Sequence, residues 1–122
     1  MTERVVVSAL AVDCRDPDTL ATFWYELMGG EMVVWPQYGV VALRCPGITL
    51  DFTLVPEDKV VKNRLHLDLA TSDPQTTIDR AIALGAKRLH DFDKHTVMAD
   101  PEGNEFCVLH AMPADRPWQP PT

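Results

Sequence analysis

Ala9-Leu10-Ala11-Val12-Asp13-Cys14-Arg15-Asp16-Pro17 and His66-Leu67-Asp68-Leu69-Ala70-Thr71-Ser72-Asp73-Pro74 follow one plan, 57 residues apart. Each is a short strand-like run that ends at an Asp-Pro pair. Asp suits a helix N-cap, because its carboxylate accepts from the free amides of the first turn, and Pro suits the first helical position, where no amide is needed. A helix is therefore expected after each pair. In the first, Leu20, Phe23, Trp24, Leu27 and Met28 fall on one apolar stripe and Gly29-Gly30 supplies the stop. In the second, Ile78, Ala81 and Ile82 keep the spacing with smaller side chains, and Gly85 marks the end.

Three strands are expected after each helix, over 31–35, 38–44 and 48–55, then over 86–91, 94–99 and 104–110. Each half thus reads βαβββ. Asp100-Pro101-Glu102-Gly103-Asn104 has Pro where a turn fixes φ and Gly where φ turns positive, so it joins the last two strands as a hairpin; Arg44-Cys45-Pro46-Gly47 is its counterpart. Pro56-Glu57-Asp58-Lys59 breaks the strand pattern, which sets module one at about 5–57 and module two at about 60–111, with a proline-rich tail over 112–122 that carries Trp118.

The 122 residues, 46% hydrophobic and 24% charged with a formal net charge of −7, describe one domain. The acidic balance excludes the positive face that nucleic acid requires. No apolar run approaches the length of a membrane span, and the start of the chain reads as a strand rather than a leader, so a cytoplasmic protein is expected. Cys14, Cys45 and Cys107 are odd in number and fall in no paired spacing, so neither a disulfide framework nor a zinc knuckle is indicated.

Strand parity then sorts side chains by face. Leu65, Leu67 and Leu69 face a helix and leave His66 and Asp68 opposite. Leu50, Phe52 and Leu54 leave Thr49, Asp51 and Thr53; Phe106 and Val108 leave Glu105 and Cys107. Leu10 and Val12 leave Ala9, Ala11 and Asp13. Asp51, His66, Glu105 and Cys107 are all of a type that ligates metals or moves protons, and all fall on the same expected face. Trp35 lies in a short connection where an aromatic would rim the cleft, whereas His90, His95 and His110 are read as surface histidines.

On the doubled βαβββ plan, the Asp16–Gly30 helix segment, Lys62–Leu69 and Asp100–Phe106, the chain resembles the vicinal oxygen chelate superfamily, in its glyoxalase-like and bleomycin-resistance-like branch. The resemblance implies an α+β fold: two βαβββ modules whose curved mixed sheets surround one cleft, helices outside. It also implies, in metal-using members, a divalent ion held by His or Glu side chains from the first and last strand of each module. Carried over, those positions fall on Ala9, Asp51, His66 and Cys107. Ala9 cannot coordinate, and Cys107 stands where a Glu is usual.

Two functions follow. The first is binding of a small oxygen-bearing organic ligand in the cleft, without metal, through Asp51, Thr53, His66, Asp68, Cys107 and Trp35. The second is a divalent-metal lyase or dioxygenase-type enzyme, with Asp51, His66 and Cys107 on zinc, which thiolate favours, and Glu105 or Asp68 as general base. Ala9 favours the first. A small-molecule ligand is the expected partner and a homodimer is compatible with the pattern; a tail-mediated interaction module, docking through Trp118, is a third reading.

Overall fold

The computed structural model describes residues 3–111, so the tail, with Trp118, lies outside the described residues. Module one contains β1 (Leu10–Cys14), α1 (Pro17–Met28), β2 (Glu31–Trp35), β3 (Val40–Cys45) and β4 (Ile48–Leu54). Module two contains β5 (Asp68–Leu69), α2 (Pro74–Ala83), β6 (Lys87–Asp91), β7 (His95–Ala99) and β8 (Glu105–Leu109). The strands form two four-stranded sheets, ordered β1-β4-β3-β2 and β5-β8-β7-β6. Each mixes one parallel pair, β1 with β4 or β5 with β8, with two antiparallel ones. The architecture is the expected α+β pairing of βαβββ modules, with sheets that do not close.

Both helices start as the Asp-Pro pairs dictate. Asp16 accepts from the Thr19 amide at 3.1 Å and its hydroxyl at 2.7 Å, and Asp73 repeats both distances on Thr76. Past the end of α1, Gly30 has φ +103°, and a Cβ there would sit 2.6 Å from the Arg44 carbonyl oxygen, so the turn into β2 admits no other residue without movement.

One continuous core joins the modules. Leu20, Phe23 and Trp24 from α1 pack with Val41, Leu43, Leu50 and Phe52 of the first sheet, and also with Ile78, Met98, Phe106 and Val108 of the second module. The aromatic centre is tight: Trp24 meets Phe106 edge-on at 4.9 Å between ring centroids, and Phe23 meets Trp24 at 5.1 Å. Across the same seam Glu102 accepts from the Arg15 and Asp16 amides, at 2.7 and 2.9 Å. The module-two hairpin therefore satisfies backbone donors at the entry to the module-one helix.

The structure departs from the strand expectations in three places. β1 begins at Leu10, leaving Val5, Val6 and Val7 exposed outside the sheet. Pro36–Tyr38 is a single 3-10 turn, closed by Gly39 at φ 65°, so β3 begins at Val40 rather than at residue 38. β5 is only two residues long, and Leu65, expected to face the helix, is 77% exposed. In the β5–β8 register Asn63 and Leu65 fall opposite Glu102 and Asn104, ahead of the start of β8, so no strand lies beside them, and the Asn63 amide donates to the Glu105 side chain at 3.0 Å. Leu54 is also exposed, at the end of β4, whereas Leu50 and Phe52 are fully buried as expected. No helix among the described residues is long and apolar enough to cross a membrane.

Candidate functional site

The strand register lets the two modules be compared position by position. Ala11 pairs with Asp51 across β1 and β4, and Asp68 pairs with Cys107 across β5 and β8. These are equivalent positions of the internal repeat, so Asp51 faces an alanine where Cys107 faces an aspartate. Extended across the sheets, the rows read Ala11, Asp51, Ala42, Val33 in module one and Asp68, Cys107, Val97, His90 in module two. Polar chemistry is concentrated in the second module, and open room in the first.

In module two, His66, Asp68 and Cys107 come together. Their ligand-type atoms all lie within 4.8 Å of one another, and the His66 Nε2 to Asp68 Oδ1 distance is 3.1 Å. His66 and Asp68 are part exposed, while Cys107 is buried. Burial pushes the Cys107 thiol above its ordinary value, and the neighbouring Asp68 charge and hydrogen bond push it the same way. A thiol raised in this way is a poor nucleophile at neutral pH. Asp51 is not in this group. It sits on β4 of the other sheet, so of the three expected metal ligands two are adjacent, and the third close donor is Asp68.

Asp51 instead lines a cavity of about 280 Å³ with Trp35, Tyr38 and Val40. Trp35 thus lines this cavity rather than the one between the modules. Thr53 lies one row further along the same face, in register with Asp13 on β1 and Val40 on β3. A larger cavity, of about 500 Å³, opens between the modules; its walls include Ala11 and Asp13 of β1, Lys59, Asn63 and Arg64 of the connecting segment, and Asn104 of the hairpin.

Glu105 is engaged. It takes the Lys59 ammonium at 2.8 Å and the Asn63 amide at 3.0 Å, with both charged side chains less than a fifth exposed. Burial works to raise its carboxyl, but the Lys59 and Asn63 hydrogen bonds and the Lys59 charge together hold it below the ordinary value. A low-lying carboxylate with its lone pairs committed is a weak base. The histidines divide: at the β6–β7 turn His90 meets Phe92 edge-on and His95 stacks on it, whereas His110, read from the sequence as a surface residue, is half-buried with its Nε2 2.8 Å from the Thr96 hydroxyl. Thr96 is fully buried and bonds Asp91 as well. Neither Thr96 nor Tyr38 was singled out from the sequence. Thr96 lies at an apolar parity, and Tyr38 was assigned to a strand.

The family model for the glyoxalase-like domain matches residues 9–109. Among curated proteins no sequence matches significantly. Solved structures share the fold at low identity. A glyoxalase/bleomycin resistance protein/dioxygenase family enzyme from Burkholderia phytofirmans is 20% identical, with TM-score 0.68 over 83% of this chain and 94% of its own. The fosfomycin resistance protein FosX from Mesorhizobium loti is 13% identical, with TM-score 0.73 over 95% and 98%. A mutant of FosX from Listeria monocytogenes, complexed with Mn(II) and 1S,2S-dihydroxypropylphosphonic acid, is 11% identical, with TM-score 0.73 over 89% and 92%.

Proposed function

Because the chain belongs to the glyoxalase-like domain family, we propose that it binds a small oxygen-bearing organic molecule in the space between its modules, without a metal ion. The observation that carries this reading is the cavity of about 500 Å³ between the modules, within the range of metabolite pockets. Leu10, Ala11, Val12 and Asp13 of β1 form one of its walls. Asp13, Asn63 and Arg64 line it and supply polar groups for a ligand, whereas Asp51, Thr53, His66, Asp68, Cys107 and Trp35 lie outside that lining. Glu105 serves on this reading as a clamp for the connecting segment rather than as a base.

The test is a thermal-shift screen of hydroxy, keto, amino and phosphonate metabolites on the full chain, repeated on Ala11→Trp, which fills the cavity. A ligand at a hundred times its Kd adds about 2.7 kcal/mol of stability, and Ala11→Trp is expected to abolish that shift. A hit that shifts both proteins equally places binding elsewhere and defeats the reading.

A second reading has its own observation, the approach of His66, Asp68 and Cys107 to within 4.8 Å. Mn(II) is named in the FosX complex, and a divalent ion here would be held by His66, Asp68 and Cys107. Bound, it would supply Lewis-acid polarisation of substrate oxygens, the basis of lyase or dioxygenase-type chemistry. The donor set fits: the imidazole and carboxylate are accessible, and the buried thiol would release its proton on binding the ion. Metal analysis of protein purified without chelator or affinity tag, alongside His66→Ala, separates the readings. Stoichiometric zinc or manganese lost on that substitution would establish the metal site.

A further inference from the structure

We propose that the cavity formed by Trp35, Tyr38 and Asp51 is a subsite for an organic cation, an amine or quaternary ammonium group carried by the ligand. This cavity belongs to module one and shares no lining residue with the inter-module cavity, so the inference goes beyond the reading of that space.

Three observations converge. Asp51 makes no hydrogen bond or ion pair with any described residue. Its neighbours across β1 and β3 are Ala11 and Ala42, so no flanking side chain reaches over it. In the repeat, His66 and Asp68 occupy the places that Ala9 and Ala11 hold here, and Cys107 the place of Asp51. Second, the other walls are aromatic. Trp35 is 40% and Tyr38 72% exposed, yet both face the cavity that holds the carboxylate, and an aromatic face attracts a cation through its quadrupole. Third, Asp13 lies on the same face as Asp51, two residues along β1 from Ala11, and the chain carries a net charge of −7, which draws cations toward it. Arg44 shares the parity but is turned to Glu31 at 3.7 Å. Aromatic walls over a bare carboxylate suit a cation whose alkyl groups pack on the rings while its charge meets Asp51. An anion would meet only repulsion there.

The probe pair is choline and 3,3-dimethylbutan-1-ol, which share a shape and differ in charge. Each is titrated into the full chain and followed by the Trp35 indole N–H resonance. Choline is expected to bind at least about tenfold more tightly, a difference of about 1.4 kcal/mol. Asp51→Asn, with an unchanged melting temperature, is expected to erase that preference, and Trp35→Ala to weaken both ligands. Equal binding of the two probes, no movement of the Trp35 resonance with either, or a preference that survives Asp51→Asn each overturns the cation class. If a neutral or anionic metabolite nonetheless binds and is blocked by Ala11→Trp, the inter-module site stands and only the cation site at Asp51 falls.

Discussion

Trp24 in α1 donates its indole N–H to Asp100, in the turn between β7 and β8, across 3.3 Å in the buried seam of the modules. Asp100 is 3% exposed and also accepts from the Glu102 and Asn104 amides, at 2.9 and 3.0 Å. One carboxylate thus organises the hairpin turn and ties it to the first helix. Asp100→Ala leaves several buried donors without a partner and is expected to cost about 2–3 kcal/mol in urea unfolding. Trp24→Phe removes one donor and some volume, at about 1–2 kcal/mol. A double-mutant cycle should give a coupling above about 0.5 kcal/mol. Strict additivity would mean that the Trp24–Asp100 bond adds nothing to the seam.

Acid stability follows from the caps. The Thr19 side chain and amide hold Asp16 below its ordinary value of 3.8, and Thr76 does the same for Asp73. A carboxyl whose folded pKa lies below its unfolded one contributes stability that is present above the unfolded value and lost as pH falls through the folded one. Asp91, lowered by hydrogen bonds from Arg88 and Thr96, adds with the same sign. Asp100 opposes: burial raises it, so the folded state takes up that proton first. The urea midpoint should therefore fall as pH drops below about 4. Asn still caps a helix but does not titrate, so the Asp16→Asn, Asp73→Asn double variant should show a shallower fall over the same window. Parallel curves for the two proteins would remove the caps from the account.

Thiol chemistry offers a third check. Burial pushes Cys14 up to about 12, with Glu102, Asp100 and neighbouring carboxylates adding to it, and burial raises Cys45 and Cys107 as well. In the native protein at pH 8, all three cysteines should react with an aromatic disulfide reagent more slowly than a free thiol, and rapidly once unfolded. Asp68→Asn removes a charge that raises Cys107, so that residue should speed up selectively. A fast native phase assigned to Cys107 would reopen its role as a nucleophile.

Much of this molecule was legible in the chain because its information is local. The Asp16-Pro17 and Asp73-Pro74 caps, the α1 stripe and the Pro101-Gly103 hairpin are each decided within a dozen residues, and the repeat supplies the topology. Strand parity placed Asp51, His66, Asp68 and Cys107 on their faces, since period two is a strong constraint wherever a helix covers one side. What parity lacks is distance between sheets. It grouped Asp51 with His66 and Cys107, whereas the close carboxylate is Asp68, two residues from His66 in sequence. It also could not foresee that Glu105 spends its carboxylate on Lys59, because that ion pair depends on how the connecting segment folds back 46 residues away.

That ion pair carries the last prediction. The segment between β4 and β5 has no regular structure, and Val60, Val61 and Leu65 within it are largely exposed, so apolar burial contributes little to its position. What holds it is polar: Glu105 receives the Lys59 ammonium and the Asn63 amide, and Asp58 meets Arg15 at 2.7 Å at the surface. The Arg15 pair is more than half exposed on both sides and should contribute little. The Glu105 pair is sheltered, so losing one partner leaves a poorly solvated charge. Glu105→Gln should therefore cost about 1–3 kcal/mol, while Asp58→Asn should be nearly silent. Because this segment also forms a wall of the inter-module cavity, Glu105→Gln should speed amide exchange across residues 57–66 more than in α1 or β3, and weaken any cavity ligand. If Glu105 were instead a general base, Glu105→Gln would abolish turnover while leaving exchange in 57–66 and ligand affinity unchanged.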